Sequence, residues 1–544
     1  MPSHAFNEST VGLRASVDEL LHWLTNAGVH CALGLVLGAL AASMMHRRRL
    51  HWSWASCTLV LIVIAKPDLA GWSSSFALAA LLASSRARRW HREDLESGAE
   101  AAERAARRVS PWDVLRSLLV RVRADALERL GATRRLGGGE LQLGVDDRGR
   151  AVSIPFASAD AEAGARAGHA LVVGATGSGK TVTQSWIAVR AIERGMGAVV
   201  LDPKGDPDLR EHVRRAALAA GRRFIEWTPD GGSVYNPYAL GGATEIADKA
   251  LAGEHFTEPH YLRQAQRYLG HVVRALHELD GELSLASIVE HLDPDALELR
   301  ARELPQKLAG ATFAYLDSLS VRQRSDLAGV RDRLSILAES DVGRWLDPQT
   351  PAAVHFELLS AVRERAVVYF GLEADSRPLV SAMLGAAVVQ DLQTTVAALQ
   401  GQPVATLVVI DEFSAIAAEQ VVRLFGRARS AGFSLLLGTQ ELSDLRLPGR
   451  ERLLDQVLGN LSVLIAHRQV VPTSAELIAS IAGRTAGWKL TRHSDGRSTR
   501  TQTRQPVLEP TRVMHLGRGW GAVLVLGDGR GARIARMFSP VRHR

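Results

Sequence analysis

The stretch LVVGATGSGKT, residues 171–181, constrains this chain more tightly than any other. It matches the pattern G-x-x-x-x-G-K-[ST] through Gly174, Gly179, Lys180 and Thr181, follows an apolar β-type run and leads into the helical pattern VTQSWIAVRAIERG. A loop of this kind holds anionic phosphate on its backbone. The N–H groups from Gly174 through Ala175, Thr176, Gly177, Ser178 and Gly179 converge on the anion, and the positive end of the following helix adds to them. Lys180 is spaced to reach the β/γ oxygens and Thr181 to place a hydroxyl on a metal, so ATP and Mg2+ are the expected ligands. The loop works only between a strand and a helix, which commits the chain to an α/β core.

Further strands are legible around it. GAVVLDPKGD (197–206) is a buried strand with polar residues at its carboxyl end, closing a βαβ unit. RAVVYFGLE (365–373), TLVVIDE (406–412), FSLLLGTQ (433–440) and LSVLIAH (461–467) are apolar runs separated by helical stretches, which predicts an α/β fold with a doubly wound, mostly parallel sheet around the P-loop, the kind of core that the resemblance given below identifies as RecA-like. Two short strands precede the loop, in GGGELQLGVDD and RAVSIPF. From about 241 to 360 the pattern is helix after helix. The expected organisation is therefore an ATPase domain in two parts, 140–240 and 361–538, around an inserted all-α domain at 241–360, with a short tail at 539–544. HSDGRSTRTQTRQP (493–506) has no apolar face and is expected to be a mobile basic loop.

LVVIDE brings a second functional element. Its apolar residues carry the strand to the edge of the core, where Asp411 faces the metal shell and Glu412 is placed to polarise an attacking water. A transferase, which must exclude water, has less use for the second carboxylate, so the pair favours hydrolysis. Gln440, at the end of LLLGTQ, is a candidate γ-phosphate sensor, with a plain turn as the competing reading. The only cysteines, Cys31 and Cys57, lie in apolar runs and form no disulfide framework or zinc site. The formal charge of +7 is compatible with a nucleic-acid partner but does not require one. His169 and the other histidines read as structural or surface residues.

The first 90 residues differ in character. Ala27 to Met45 carries no formal charge and covers roughly 28 Å as a helix, enough to cross a bilayer. The basic cluster Arg47–Arg49 follows that run rather than preceding it, which favours an anchor over a cleaved leader. Two more apolar runs, Trp52–Ala65 and Leu69–Ser85, are separated by Lys66, Pro67 and Asp68 and closed by Arg86, Arg88 and Arg89. Basic flanks on one side imply an outgoing and returning hairpin there, and Trp52, Trp54, Trp72 and Trp90 suit an interface. Residues 1–90 are thus expected to form an anchor of one to three spans in the inner (plasma) membrane, the alternative being a buried helical subdomain. A juxtamembrane helix and linker are expected at 91–139, with the ATPase domain in the cytoplasm.

GATGSGKT, DPKGD, the helical insertion, IDEF (410–413) and GRARSAGFSLLLGTQ (426–440), in this order, resemble the motor ATPases of the HerA/FtsK superfamily. Within it, the N-terminal anchor, the insertion after DPKGD and NLSVLIAHRQ are similar to the TraG/TraD-type coupling proteins of conjugative DNA transfer. The resemblance runs over roughly residues 140–535. It implies a homo-hexameric ring that hydrolyses ATP to recruit DNA or a relaxase nucleoprotein and move it toward a type IV secretion channel. It also implies that Lys180 and Thr181 bind phosphate and metal, Asp411 supports Mg2+, Glu412 is the base and Gln440 the sensor. Arg427, Arg429 and Arg468 are equal candidates for an arginine finger acting between subunits. Two rivals are an FtsK-like translocase on duplex DNA and a non-motor docking receptor that binds ATP structurally.

Overall fold

The computed structural model describes residues 5–48, 50, 51, 53, 54, 70–96, single positions between 114 and 126, 139–156, 168–254, 256, 258–281, 283–352, 354–416, 418–446, 452–492, 498–527, 529 and 531–540. Two compact units, Met1–Arg123 and Ala124–Arg544, divide the chain.

The first unit is built on helices α1 (Ala5–Arg47) and α2 (Ala70–Glu96). Small residues bring them together: a Cβ on Gly38 would lie 2.8 Å from the Ala79 carbonyl oxygen, and Ala42, Met45 and Ala83 form a buried cluster. His46 packs on Trp90 with ring centroids 4.9 Å apart. Gly38 meeting Ala79 and His46 meeting Trp90 require the helices to run in the same direction. Arg47 and Ala70 therefore lie at opposite ends of the pair. Val29, Leu35, Val36, Leu40 and Met44 of α1 and Leu81 of α2 face outward, exposed. The apolar run 27–45 thus lies in α1 and all but the first residue of 69–85 in α2. The middle run from 55 on, Asp68 and most of the linker lie outside the described residues. Among the described residues one helix is long and apolar enough to cross a membrane, Pro378–Ala398, and 67% of its apolar window is buried within the second unit. That helix is core.

The strands of the second unit are β1 (Glu140–Asp146), β2 (Ala151–Pro155), β3 (Ala170–Val173), β4 (Gly197–Asp202), β5 (Phe224–Trp227), β6 (Ser233–Tyr235), β7 (Val354–Phe356), β8 (Val367–Gly371), β9 (Thr406–Ile410), β10 (Phe433–Thr439), β11 (Val463–Ala466), β12 (Arg484–Arg492), β13 (Ser498–Pro506), β14 (Trp520–Val525) and β15 (Arg533–Met537). Eleven of them form one sheet in the order β2-β1-β15-β14-β11-β3-β10-β9-β4-β8-β5. From β11 to β5 every pairing is parallel. Val, Ile and Leu runs at β3, β8 and β9 are buried at every position, as strands covered on both faces must be. The remaining four strands add an antiparallel edge. Topology fixes one point of functional weight: β10 lies between β3 and β9, so the carboxylates at the end of β9 come from one strand beyond the phosphate loop's neighbour.

Helices α3 (Lys180–Glu193) and α4 (Pro207–Ala219) follow β3 and β4. Between β6 and β7 run α5 (Ala243–Leu251), α6 (Pro259–Leu279), α7 (Leu285–Glu290), α8 (Pro294–Ala301), α9 (Gln306–Asp317) and α10 (Val321–Ala338). The parallel pairing of β6 with β7 ties the two ends of this helical stretch together. Its core is continuous with that of the sheet, from Tyr268 and Leu276 through Phe370 to Val408. After β8 come α11 (Pro378–Ala398), α12 (Ala418–Ala428), α13 (Leu453–Asn460) and α14 (Pro472–Ala482).

The expected basic loop at 493–506 is corrected: residues 498–506 form β13, paired antiparallel with β12 over nine residues. Thr499, Thr501 and Thr503 alternate at the strand period and favour extended backbone, whereas the absence of an apolar face hides the strand from a hydrophobicity pattern.

Candidate active site

The phosphate loop joins β3 to α3 through two glycines in the left-handed region, Gly177 at φ +74° and Gly179 at +109°. Gly174 is required for a different reason, since a Cβ there would come within 2.6 Å of Ser178 Oγ and 2.7 Å of His467 Cβ. The loop is supported from below by backbone. Gly174 N–H donates to the Thr439 carbonyl (3.3 Å), Ala175 N–H to the Arg468 carbonyl (3.0 Å), and Gly519 N–H to the Ser178 carbonyl (3.0 Å). Ser178 Oγ is buried with no hydrogen-bond partner, and Thr176 and Gly177 are exposed at the rim. A loop turned by left-handed glycines, with an exposed rim at Thr176 and Gly177 and an orphaned hydroxyl, fits a phosphate.

Above it the predicted residues meet. Lys180 Nζ lies 2.8 Å from Asp411 Oδ1 and 2.6 Å from Glu412 Oε1, all three largely buried. Gln440 Nε2 donates to the same Glu412 oxygen at 3.2 Å. Glu412 has φ +46°, a backbone state that only surrounding structure can impose on a side-chain-bearing residue. Burial raises its carboxyl pKa, but the charge and hydrogen bond of Lys180 and then those of Lys204 outweigh it, so the net shift is downward. A Cβ on Gly438 would collide with Asp411 Oδ1 and with the amide of Gln184, so only glycine there leaves room for the carboxylate. Thr181 follows Lys180 in the first turn of α3. Arg468, exposed, contributes its carbonyl to the loop, while Arg427 and Arg429 sit at the end of α12, before β10 starts, and Arg429 donates to the Asn460 carbonyl (3.0 Å). None of the three arginine side chains bonds to the cluster among the described contacts.

Three features were not read from the sequence. Lys204 Nζ is 3.0 Å from Glu412 Oε1. Asp202, fully buried, accepts from the N–H groups of Lys204, Gly205 and Asp206 and from the Tyr369 hydroxyl (2.8 Å). Burial raises its pKa despite those bonds. His467 is fully buried beneath the loop; its Nδ1 lies 3.0 Å from the Trp520 carbonyl, so that nitrogen carries the proton and Nε2 accepts from the Thr183 hydroxyl (2.9 Å). Burial holds its pKa down to about 4. DPKGD signalled a polar strand end, but only the pairing of β4 with β9 shows which side chain it faces.

Comparison with known proteins gives two family matches. Residues 167–368 match the central domain of the helicase HerA, and residues 405–518 match the TraM recognition site of TraD and TraG. No curated protein sequence matches the chain. Solved structures sharing its fold include the bacterial conjugative coupling protein TrwBΔN70 in an unbound form, at 17% identity and TM-score 0.56, covering 75% of this chain and 91% of that one. TrwB in complex with ADP and Mg2+ aligns at 18% identity and TM-score 0.54, covering 76% and 92%. VirB4 of Thermoanaerobacter pseudethanolicus aligns at 14% identity and TM-score 0.50, covering 74% and 97%. At these identities the likeness establishes the fold, a P-loop α/β sheet with helical additions.

Proposed function

We propose that the chain, whose residues 167–368 match the HerA central domain and 405–518 the TraD/TraG model, is a TraG/TraD-type coupling protein of the HerA/FtsK superfamily, a membrane-tethered ATPase that drives DNA or a relaxase nucleoprotein into a type IV secretion channel. The observation that carries this reading is the convergence of Lys180, Asp411, Glu412 and Gln440 at the mouth of the phosphate cradle. A structural nucleotide site needs the cradle but has no use for a buried carboxylate held in strained backbone beside it.

ATP with Mg2+ supplies the phosphoanhydride whose hydrolysis powers the motor. The N–H groups of Thr176, Gly177 and Gly179 would bind its phosphates, since those of Ala175 and Ser178 donate to the Arg468 and Ala175 carbonyls, and Lys180 leaves the carboxylates for the β/γ oxygens. Thr181 and Asp411 would hold the metal. Glu412 takes the proton of the attacking water, and Gln440 keeps that carboxylate and the water in line. An arginine from a neighbouring subunit, Arg427, Arg429 or Arg468, completes the site in a homo-hexamer. The domain boundaries proposed from the sequence at 90, 139, 240, 360 and 538 serve this scheme: anchor, linker, split motor and helical insertion.

Two surfaces support the partners. The β12–β13 ribbon carries Arg484, Lys489, Arg492, Arg500 and Arg504 and no acidic residue within its strands, which suits a sequence-independent contact with phosphates. The outward apolar face of α1 and α2 suits lipid, and their common direction suits a multi-pass anchor in the inner membrane, since residues 48–69 must join opposite ends of the pair. DNA-stimulated ATP hydrolysis tests the whole reading. Lys180→Ala is expected to abolish nucleotide binding, and Glu412→Gln to bind nucleotide and lose all but a residual turnover. A rate per subunit that is independent of protein concentration and untouched by DNA would favour the docking receptor, and strict dependence on duplex DNA the FtsK-like translocase.

A further inference from the structure

Lys204 stands where no nucleotide-binding role requires a second lysine. Its side chain is 45% exposed, yet its backbone is among the most firmly held in the site. The N–H groups of Lys204, Gly205 and Asp206 all donate to Asp202, Gly205 turns the chain at φ +67°, and Asp206 caps α4 through the N–H groups of Asp208 and Leu209. The next strand fixes the other side of the contact, because Leu201 pairs with Ile410 and the Asp411 N–H donates to the Leu201 carbonyl at 3.1 Å. The root of the Lys204 side chain and the root of Glu412 are thus set by adjacent strands of one sheet.

The ammonium reaches one oxygen of the carboxylate. Lys180, Lys204 and Gln440 all donate to Glu412 Oε1, and none donates to Oε2. Once Lys180 is drawn away to phosphate oxygens, Lys204 and Gln440 remain to hold Oε1. We infer that Lys204 is a positioning residue for hydrolysis, holding Glu412 by Oε1 so that Oε2 is presented to the attacking water while Lys180 is engaged elsewhere. The inference rests on the reading of Glu412 as the base. Proton transfer is sensitive to such alignment: a displacement of about 1 Å can slow a reaction about a hundredfold. An isolated exposed ion pair would have little effect, but this one is anchored by a buried carboxylate and meets a strained residue.

The test is steady-state hydrolysis by the full-length protein with DNA, for wild type, Lys204→Met, Lys204→Arg, Glu412→Gln and the Lys204→Met/Glu412→Gln double variant, alongside binding of a non-hydrolysable ATP analogue. Lys204→Met is expected to lower kcat about ten- to a hundredfold, with KM and analogue affinity within about twofold of wild type. Lys204→Arg should recover most of the rate. The double variant should be no slower than Glu412→Gln alone, because Lys204 acts only through that carboxylate. An unchanged kcat, a further loss in the double variant, or a weakened analogue affinity would each overturn the inference, the last by making Lys204 a phosphate ligand. A wild-type protein that does not hydrolyse ATP overturns the underlying reading instead.

Discussion

A buried ionic network joins α5 to α11, and its disruption is predictable in size and in order. Lys249 of α5 is wholly buried; its ammonium donates to the carbonyls of Pro237 (2.9 Å) and Leu240 (2.5 Å) and to Asp391 Oδ1 of α11 (2.6 Å). The other carboxylate oxygen accepts from the Tyr235 hydroxyl at 2.7 Å. Asp391→Ala strands a buried ammonium and a buried hydroxyl, which costs about 3–5 kcal/mol. At about 2.1 cal/mol/K of unfolding entropy per residue, a unit of this length changes by about 0.9 kcal/mol per degree, so the apparent melting temperature should fall by about 3–6 °C. Lys249→Met leaves Asp391 without its cation, but burial already raises that carboxyl, so it can take up a proton. A folded-state pKa above the unfolded value makes this relief complete below the ordinary carboxylate pKa and lost as pH rises through the folded value. Tyr235→Phe removes one charged hydrogen bond, about 1.5–3 kcal/mol. Differential scanning fluorimetry between pH 5 and 8 should therefore rank Asp391→Ala as the most damaging at pH 5, with the Lys249→Met deficit growing toward pH 8. Equal, pH-independent losses in the two variants would refute the assignment of a charged pair.

Three further outcomes are expected. Replacing Arg484 and Arg504 of the β12–β13 ribbon by Gln should weaken DNA binding alike for all sequences and reduce the log–log salt slope by about 0.7–0.9 per lost phosphate contact, read by fluorescence anisotropy at several salt concentrations; an unchanged slope would remove DNA from this ribbon, and loss of an acidic protein partner instead would reassign it. His467 takes its proton near pH 6.5 when unfolded and near 4 when folded, so its contribution of at most about 3 kcal/mol is intact above 6.5 and fades as pH falls toward 4; melting curves of His467→Gln should be flatter over that window by about one proton, and the Lys180 charge above it acts in the same direction. If the proposed anchor spans the membrane, a cysteine at position 68 should react with an impermeant reagent from outside and one at position 49 or 89 only from inside; protection of position 68 from both sides would replace the crossing by a re-entrant hairpin.

What the sequence disclosed depended on how local each signal was. The phosphate loop and the Asp411–Glu412 pair were legible because each is a short pattern whose chemistry fixes its backbone, and the parallel strands because burial on both faces leaves uninterrupted Val, Ile and Leu runs. Sheet order is not local, so nothing in FSLLLGTQ says that β10 lies between β3 and β9, nor does DPKGD say that Lys204 faces Glu412. β13 escaped notice because it has no apolar face, and β14 and β15 because nothing local in short segments such as WGAVLV and RIARM marks them as an added sheet edge. Those last two strands change how the site is understood. Gly519, at the foot of β14, donates to the Ser178 carbonyl and accepts from the Met537 N–H of β15, and the Trp520 carbonyl meets the His467 ring that underlies Gly174. The phosphate loop is therefore held from behind by the antiparallel edge of the sheet. That edge pairs onward through β1 to β2, the strands that precede the loop in the chain. The β1–β2 segment is thus hydrogen-bonded, strand by strand, to the floor of the nucleotide site.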